Sequence, residues 1–233
     1  VASSISATRS RSAGIGFSHA ATSKDASNVI VTNSDGTPER SDIVELISRY
    51  STLVAPIANK VLGHLAPAGQ GGDSLPKPGV IDRDTALGNL IADSQLADTS
   101  HRGGRPAATI ALMNPGGIRQ ALTENSAGEV TYGAAFAVQP FNNYLVSLTL
   151  TGQDVYDLLT QQVTGLNAGA VKTLQVSQGF TYTMTPTGPV DGSVALNGTP
   201  IDKAATYRVV TNNFLAGGGD NFAAFTKGSN VYY

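Results

Sequence analysis

Residues 145–159 read LVSLTLTGQDVYDLL, and the period of the pattern changes halfway along. Val146, Leu148 and Leu150 alternate with Ser147 and Thr149, which puts one apolar row on one face of an extended strand. Thr151 then stands three residues before Asp154, the spacing of a capping box, where hydroxyl and carboxylate satisfy backbone N–H groups that a starting helix leaves open. The segment GQDVYDLLTQQV continues as that helix. A fold that holds this junction contains both strands and helices.

The rest of the chain repeats that mixture. SDIVELISRYSTLVAP places Ile43, Ile47, Tyr50 and Val54 at helical spacing, with Asp42 as the expected N-cap, Glu45 three residues on and Pro56 as the expected stop. NKVLGHLA reads as a short strand, and residues 67–79 as a Gly/Pro loop. DRDTALGNLIADSQLADTS is a second helix with Leu87, Leu90 and Ile91 as its apolar stripe, and AATIALMN a buried strand. Asn197-Gly198 signals a hairpin. Residues 1–40 are rich in Ser, Ala, Thr and Asn, with one strand-like run, SNVIVTN, and a turn at Asp35-Gly36. Helices and strands alternate without a strict βαβ rhythm, so the fold class is α+β, a sandwich and not a doubly wound sheet.

Composition narrows the function. In 233 residues, 15 Lys and Arg face 17 Asp and Glu, so there is no field to gather nucleic acid and no basic run with interleaved aromatics. No apolar stretch approaches the roughly 20 residues that span a bilayer. The first residues lack the apolar block of a signal peptide. The absence of cysteine excludes disulfides, thiolate metal ligands and Cys nucleophiles. Glycine at 26 and charge at 14% describe a loop-rich, weakly charged surface of the kind common in exported bacterial proteins.

Patterns for catalysis are missing. His19, His64 and His101 lie far apart, each without a second ligand at metal spacing. There is no Gly-x-Ser-x-Gly elbow, and Gly217 to Gly219 are not followed by the Lys-Ser or Lys-Thr of a P-loop. Binding is better supplied. In NPGGIR the glycines free the backbone for a bend and for close approach of its N–H groups to an anion, and Arg119 offers a planar donor fork suited to phosphate or carboxylate. The competing reading is a tight turn with a solvated arginine. QPFNNY sets Phe141 before a strand, and NNFLAGGGDNF sets Phe214 ahead of three glycines and Asp220. For either phenylalanine alone, core packing is the simpler role.

Taken together and in order, DTALGNLIAD, NPGGIR, QPFNN with LTLTGQDVYDLL, and YRVVTNNFLAGGGDNF resemble the signature of the C-terminal domain of the 5'-nucleotidase family, which includes UDP-sugar hydrolases and 2',3'-cyclic phosphodiesterases. The resemblance runs from about residue 42 to 226. It implies a four-layer α/β/β/α sandwich that binds a nucleoside or nucleotide. It implies that Phe141 and Phe214 clamp the base, that Asp220 holds the ribose hydroxyls and that Asn143 reaches the base edge. Asn114 and Arg119 would face the nucleoside and its phosphate, across the bend at Gly116 and Gly117.

Some positions depart from the family pattern. Several members carry a further phosphate-binding arginine seven residues before the glycine that matches Gly88, where this chain has Ile81, with Arg83 two residues later. Asn221 stands where many members have glycine, a residue type that tolerates positive φ. The Asp-x-His, Gly-Asn-His-Glu and Gly-His-x-His segments of the family's N-terminal metallophosphoesterase domain are absent from this chain. Two divalent metals are expected on that domain and none here. The expected organisation is therefore a tail or linker over 1–41, a connector helix over 42–58 and a nucleotide-binding domain over 59–233 that stops short of the family's usual end. The parent would be an exported 5'-nucleotidase-type hydrolase, extracellular, periplasmic or cell-surface, with this fragment binding and not hydrolysing. A second reading is an interaction or adhesion domain that has lost the ligand, and a third, an enzyme by itself, needs a metal site the sequence does not display.

Overall fold

The computed structural model describes residues 40–65, 74–78, 83–101 and 106–233. The strand-like run near residue 30, the turn at Asp35-Gly36, Ile81 and most of the Gly/Pro loop lie outside them. The principal elements in chain order are α1 (Ser41–Ala58), α2 (Ala86–His101), β1 (Ile110–Met113), α3 (Tyr132–Val138), β2 (Leu145–Thr151), α4 (Gly152–Gln161), β3 (Gln175–Val176), β4 (Thr206–Asn212), α5 (Asn213–Ala216) and β5 (Ser229–Tyr232). They fall into two compact units, one holding the described residues before Ser74 together with Thr123–Ala137, the other Ser74–Leu122 with Val138–Tyr233. Residues 59–65 and 123–137 thus share a unit with α1.

In the first unit the N-cap of α1 lies two residues earlier than expected. Arg40, not Asp42, is the N-cap and makes no side-chain cap bond. Asp42 instead pairs with Arg40 (Nε–Oδ1 3.1 Å), an arginine two residues back that competes with the backbone for the carboxylate. Pro56 does not stop the helix, which runs on to Ala58 and closes with Asn59 N–H donating to the Ala55 carbonyl. This near the end, proline removes only one of the last helical bonds. The apolar stripe of α1 is real and exposed throughout. Val61–Gly63 pairs antiparallel with Val130–Thr131. The alanine-rich α3, which no helical period announces, follows directly, and Tyr132 N–H bonds to the Lys60 carbonyl.

The second unit is built on a five-stranded mixed sheet in the order β5-β2-β4-β1-β3. β4 pairs antiparallel with β2 at seven positions and parallel with β1. Alternation sorts the side chains. Ile110, Leu112, Val146, Leu148, Leu150 and Val209 form one face and pack with Val155, Leu158 and Leu159 of α4. Phe180, Val194 and Ile201, from the small sheet around the Asn197-Gly198 hairpin, join the same core. Ala111 and Val210 form the other face, against Ala92 and Leu96 of α2. The class is α+β, with a helix on each face of the main sheet.

Local chemistry sets the joints. Thr151 and Asp154 make the expected capping box, Asp154 N–H donating to Thr151 Oγ1 and Thr151 N–H to Asp154 Oδ2. Asn197 and Gly198 both have positive φ, as a two-residue I′ hairpin turn requires. On α2, Leu87 and Ile91 are buried but Leu90 is 41% exposed, because the inward face also uses Ala92, Gln95 and Thr99. Arg208 is buried on β4, where its guanidinium bonds Ser147, Thr149 and the Asn230 carbonyl and lies over Tyr232, tying β5 to β2. Burial pushes that guanidinium below its ordinary range, with Tyr232 acting in the opposite sense. Among the described residues, no helix is long and apolar enough to cross a membrane.

Candidate functional site

The site lies at one end of the main sheet, where β1 and β4 deliver their chains into loops. β1 runs into Asn114 and a single 3-10 turn, Pro115–Gly117. The bend does not need a left-handed backbone, since neither glycine of the turn has positive φ. Its glycine requirement is spatial: a Cβ on Gly117 would collide with Met113 Cε and sit 3.0 Å from Asn114 Oδ1. The Gly117 N–H, expected to be open to an anion, donates to the Asn114 carbonyl within the turn. Arg119 emerges exposed beyond it, with Nη1 3.3 Å from the Gly116 carbonyl and its guanidinium 5.8 Å from the centre of the Phe141 ring.

β4 enters the site through Asn212, whose side chain joins three segments. Its Oδ1 accepts from Leu215 N–H and so caps α5, the short helix that carries Phe214. Its Nδ2 donates to Asn114 Oδ1 at 3.0 Å and approaches the Met113 sulfur at 3.3 Å. Gln95 and Gln139 point amides at the same sulfur. Asn213 and Tyr144 exchange two hydrogen bonds just past the paired ends of β4 and β2, which ties the loop bearing Phe141 to the helix bearing Phe214.

After α5 the chain crosses Gly218, Asp220 and Asn221, all with positive φ. The residue types fit, since Asn and Asp enter the left-handed region more readily than other side-chain-bearing residues. A hydrogen-bond set holds them there. Buried Asn167 donates to the Asp220 carbonyl and accepts from Asn221 Nδ2. The Asp220 carboxylate receives Asn114 Nδ2 on Oδ2 and Lys172 Nζ on Oδ1, each at 2.7 Å. The Phe214 ring lies on Gly219, where an added Cβ would sit 2.6 Å from it and make the ring shift.

All eight residues expected at the site fall in this one unit. Phe141 and Phe214 are not core residues, being 47% and 46% exposed. Gly116 lies beside the Asp220 carboxylate, with room for a Cβ at 3.4 Å. Asn114 is 4% exposed and spends both ends of its amide on Asp220 and Asn212, so it works from beneath the surface. Asn143 is exposed on the Phe141 loop and takes no part in the bonded set. Ile81 is outside the described residues, while Arg83 is exposed ahead of α2. Lys172, Asn167 and Met113 were not anticipated, and nothing in their immediate sequence marks them. Asn212 carried a signal, an Asn at the N-cap position of a short helix. Among the described residues no group of three or more His, Cys, Asp or Glu could hold a metal ion. His64 bonds the Gly128 carbonyl through Nδ1, and His19 and the His101 side chain lie outside the described residues.

Chemically the arrangement offers two accessible aromatic faces, a fixed carboxylate and an exposed guanidinium within one loop cluster. The chain that carries it has known relatives. It is 34% identical over 212 residues to "Cell wall protein Lmo0130" of Listeria monocytogenes, covering 87% of this chain and 26% of that protein. It is 32% identical over 198 residues to "Protein UshA" of Escherichia coli, covering 80% and 31%. It thus spans less than a third of the length of either relative. Among solved structures it superposes on the 5'-nucleotidase precursor from Thermus thermophilus with a TM-score of 0.63 at 29% identity, covering 87% of this chain and 39% of that one. The model of the family described as 5'-nucleotidase, C-terminal domain, matches residues 62–227, and the chain belongs to that family.

Proposed function

We propose that this chain is a nucleotide-specificity domain, which binds a nucleoside or nucleotide between Phe141 and Phe214 and presents its phosphate ester to a catalytic domain outside these residues. The observation that carries the reading is the half-exposure of both phenylalanines, on a loop and a short helix tied together by Tyr144 and Asn213, beside a carboxylate fixed at both oxygens. Two aromatic faces without hydrogen-bonding atoms suit a planar base, and Asp220 suits vicinal hydroxyls. Arg119 is the group for the phosphate. The much greater length of the relatives leaves room for a companion metallophosphoesterase domain, on which two divalent ions would supply an activated water. A relative named as a cell wall protein supports an extracellular, periplasmic or cell-surface location.

Base–aromatic stacking contributes about 1–3 kcal/mol per contact. With a ribose contact the total is roughly 4–7 kcal/mol, a Kd between about 10 μM and 1 mM. Calorimetric or NMR titration with adenosine, AMP and UDP-glucose tests this, since the chain has no Trp for fluorescence. Saturable binding, weakened more than tenfold by Phe214→Ala and abolished by the Phe141→Ala, Phe214→Ala double variant, is the expected result. Affinity unchanged in the double variant would remove the clamp.

The second reading, an interaction or adhesion domain, draws on that same cell-wall relative. A folded protein that binds none of the three ligands at several millimolar would favour it.

A further inference from the structure

Lys172 stands 48 residues before Asp220 and meets it at 2.7 Å, with the lysine side chain 30% exposed and the aspartate 19%. The position of Lys172 is fixed by its backbone, whose N–H donates to the Gln162 carbonyl at the C-terminal end of α4. Asp220 has no freedom either: its backbone is left-handed, its carbonyl accepts from Asn167, and its second oxygen is held by Asn114. A carboxylate carries about four acceptor positions, two on each oxygen. One on Oδ1 goes to the ammonium and one on Oδ2 to the amide, which leaves one on each oxygen. Two remaining acceptors, one per oxygen and fixed in orientation, match the two donors of a vicinal diol.

We infer that Lys172 is a positioning residue that sets the sugar selectivity of the site, by fixing the Asp220 carboxylate so that it accepts both hydroxyls of a ribose at once. The inference rests on the nucleoside-binding reading and deepens it. Without the ammonium, Oδ1 loses its partner and the carboxylate keeps only the Asn114 anchor, so it can turn about its Cβ–Cγ bond. The second hydroxyl then meets an acceptor in a range of orientations. The ammonium acts through Asp220, so in this arrangement stacking on Phe141 and Phe214 does not depend on it.

The test separates sugar from base by using adenosine and 2',3'-dideoxyadenosine as paired probes in calorimetric titrations of wild type, Lys172→Met, Lys172→Arg and Asp220→Asn. Hydrogen bonds to a charged acceptor predict that wild type prefers adenosine about tenfold or more. Lys172→Met is expected to bring that preference down at least threefold while leaving the dideoxy affinity within twofold, and Lys172→Arg to restore most of it. Asp220→Asn should lower the preference further. A purely structural role would weaken both ligands together, and that result overturns the inference. So does a Lys172→Met variant that binds the dideoxy ligand normally and keeps the full preference, with the nucleoside-binding reading intact. If folded wild type binds neither probe, the nucleoside-binding reading fails and the inference with it.

Discussion

Replacing Asn212 by alanine removes a side chain that is 3% exposed and serves both a helix and the site. The first loss is the N-cap of α5, about 1 kcal/mol. The second is the donor to Asn114 Oδ1, which leaves a buried acceptor unsatisfied at about 1–3 kcal/mol. The contact with the Met113 sulfur, a weak acceptor, adds little. Asn212→Ala should therefore destabilise the protein by about 2–4 kcal/mol. Asn212→Ser, which keeps a capping oxygen but is too short to reach Asn114, should recover about 1 kcal/mol of that. Urea unfolding followed by far-UV circular dichroism reads the difference. For a loss of about 3 kcal/mol and m-values of about 1–3 kcal/mol/M, the midpoint falls by about 1–3 M. A shift below about 0.3 M would show that Asn212 neither caps α5 nor supports Asn114 in solution, and a serine variant no better than alanine would remove the cap from the account.

Gly117→Ala should weaken adenosine binding several-fold and lower Tm, because the new methyl must displace the Met113 methyl or the Asn114 amide; titration and thermal unfolding of one sample report both. For Asp154, burial raises the carboxyl pKa, but the Thr151 hydroxyl and N–H together with Lys227 outweigh it and hold it below the ordinary value. Its contribution is present above the unfolded carboxylate range near pH 3.9 and is lost as pH falls through the lower folded value. The Tm gap between wild type and Asp154→Asn should therefore narrow in acid, and a gap constant from pH 7 to 2 would contradict the assignment. Tyr182 runs the other way: burial pushes its phenol up to about 12, against the Gln162 hydrogen bond. Its contribution is complete below about pH 10 and fades as pH rises toward 12. Tyr182→Phe should show a shallower loss of Tm between pH 10 and 12 than wild type.

Features governed by neighbours in sequence were readable before the structure. Thr151 and Asp154 are three residues apart, and their capping box follows from that spacing. Asn197-Gly198 predicted its hairpin because the turn's own φ angles demand those residue types. The ordered resemblance singles out Phe141, Phe214 and Asp220, and the structure brings the three into one loop cluster with Arg119. Contacts across long separations were not readable. Lys172 reaches Asp220 over 48 residues, and Asn114 reaches it over 106, so no local pattern encodes either pairing. Gly117 was expected to serve backbone freedom, when its constraint comes from the tip of Met113. Leu90 fitted a helical stripe, but the burial of Gln95 and Thr99 shows that the inward face of α2 is not purely apolar. α3 spans only seven residues, too few for an apolar period to declare itself.

Under the proposed reading, the tie between Tyr144 and Asn213 bears on ligand range. It attaches the segments that carry Phe141 and Phe214 to adjacent strands of the sheet. Variation can then be divided cleanly in a directed-evolution library. On that reading, exposed Asn143 is the position to randomise for a new base, while Arg119 is kept for the phosphate. Asn114, Asn167 and Asn212 hold the frame and should be left as they are. A chain organised this way can change what it recognises without renegotiating how it folds.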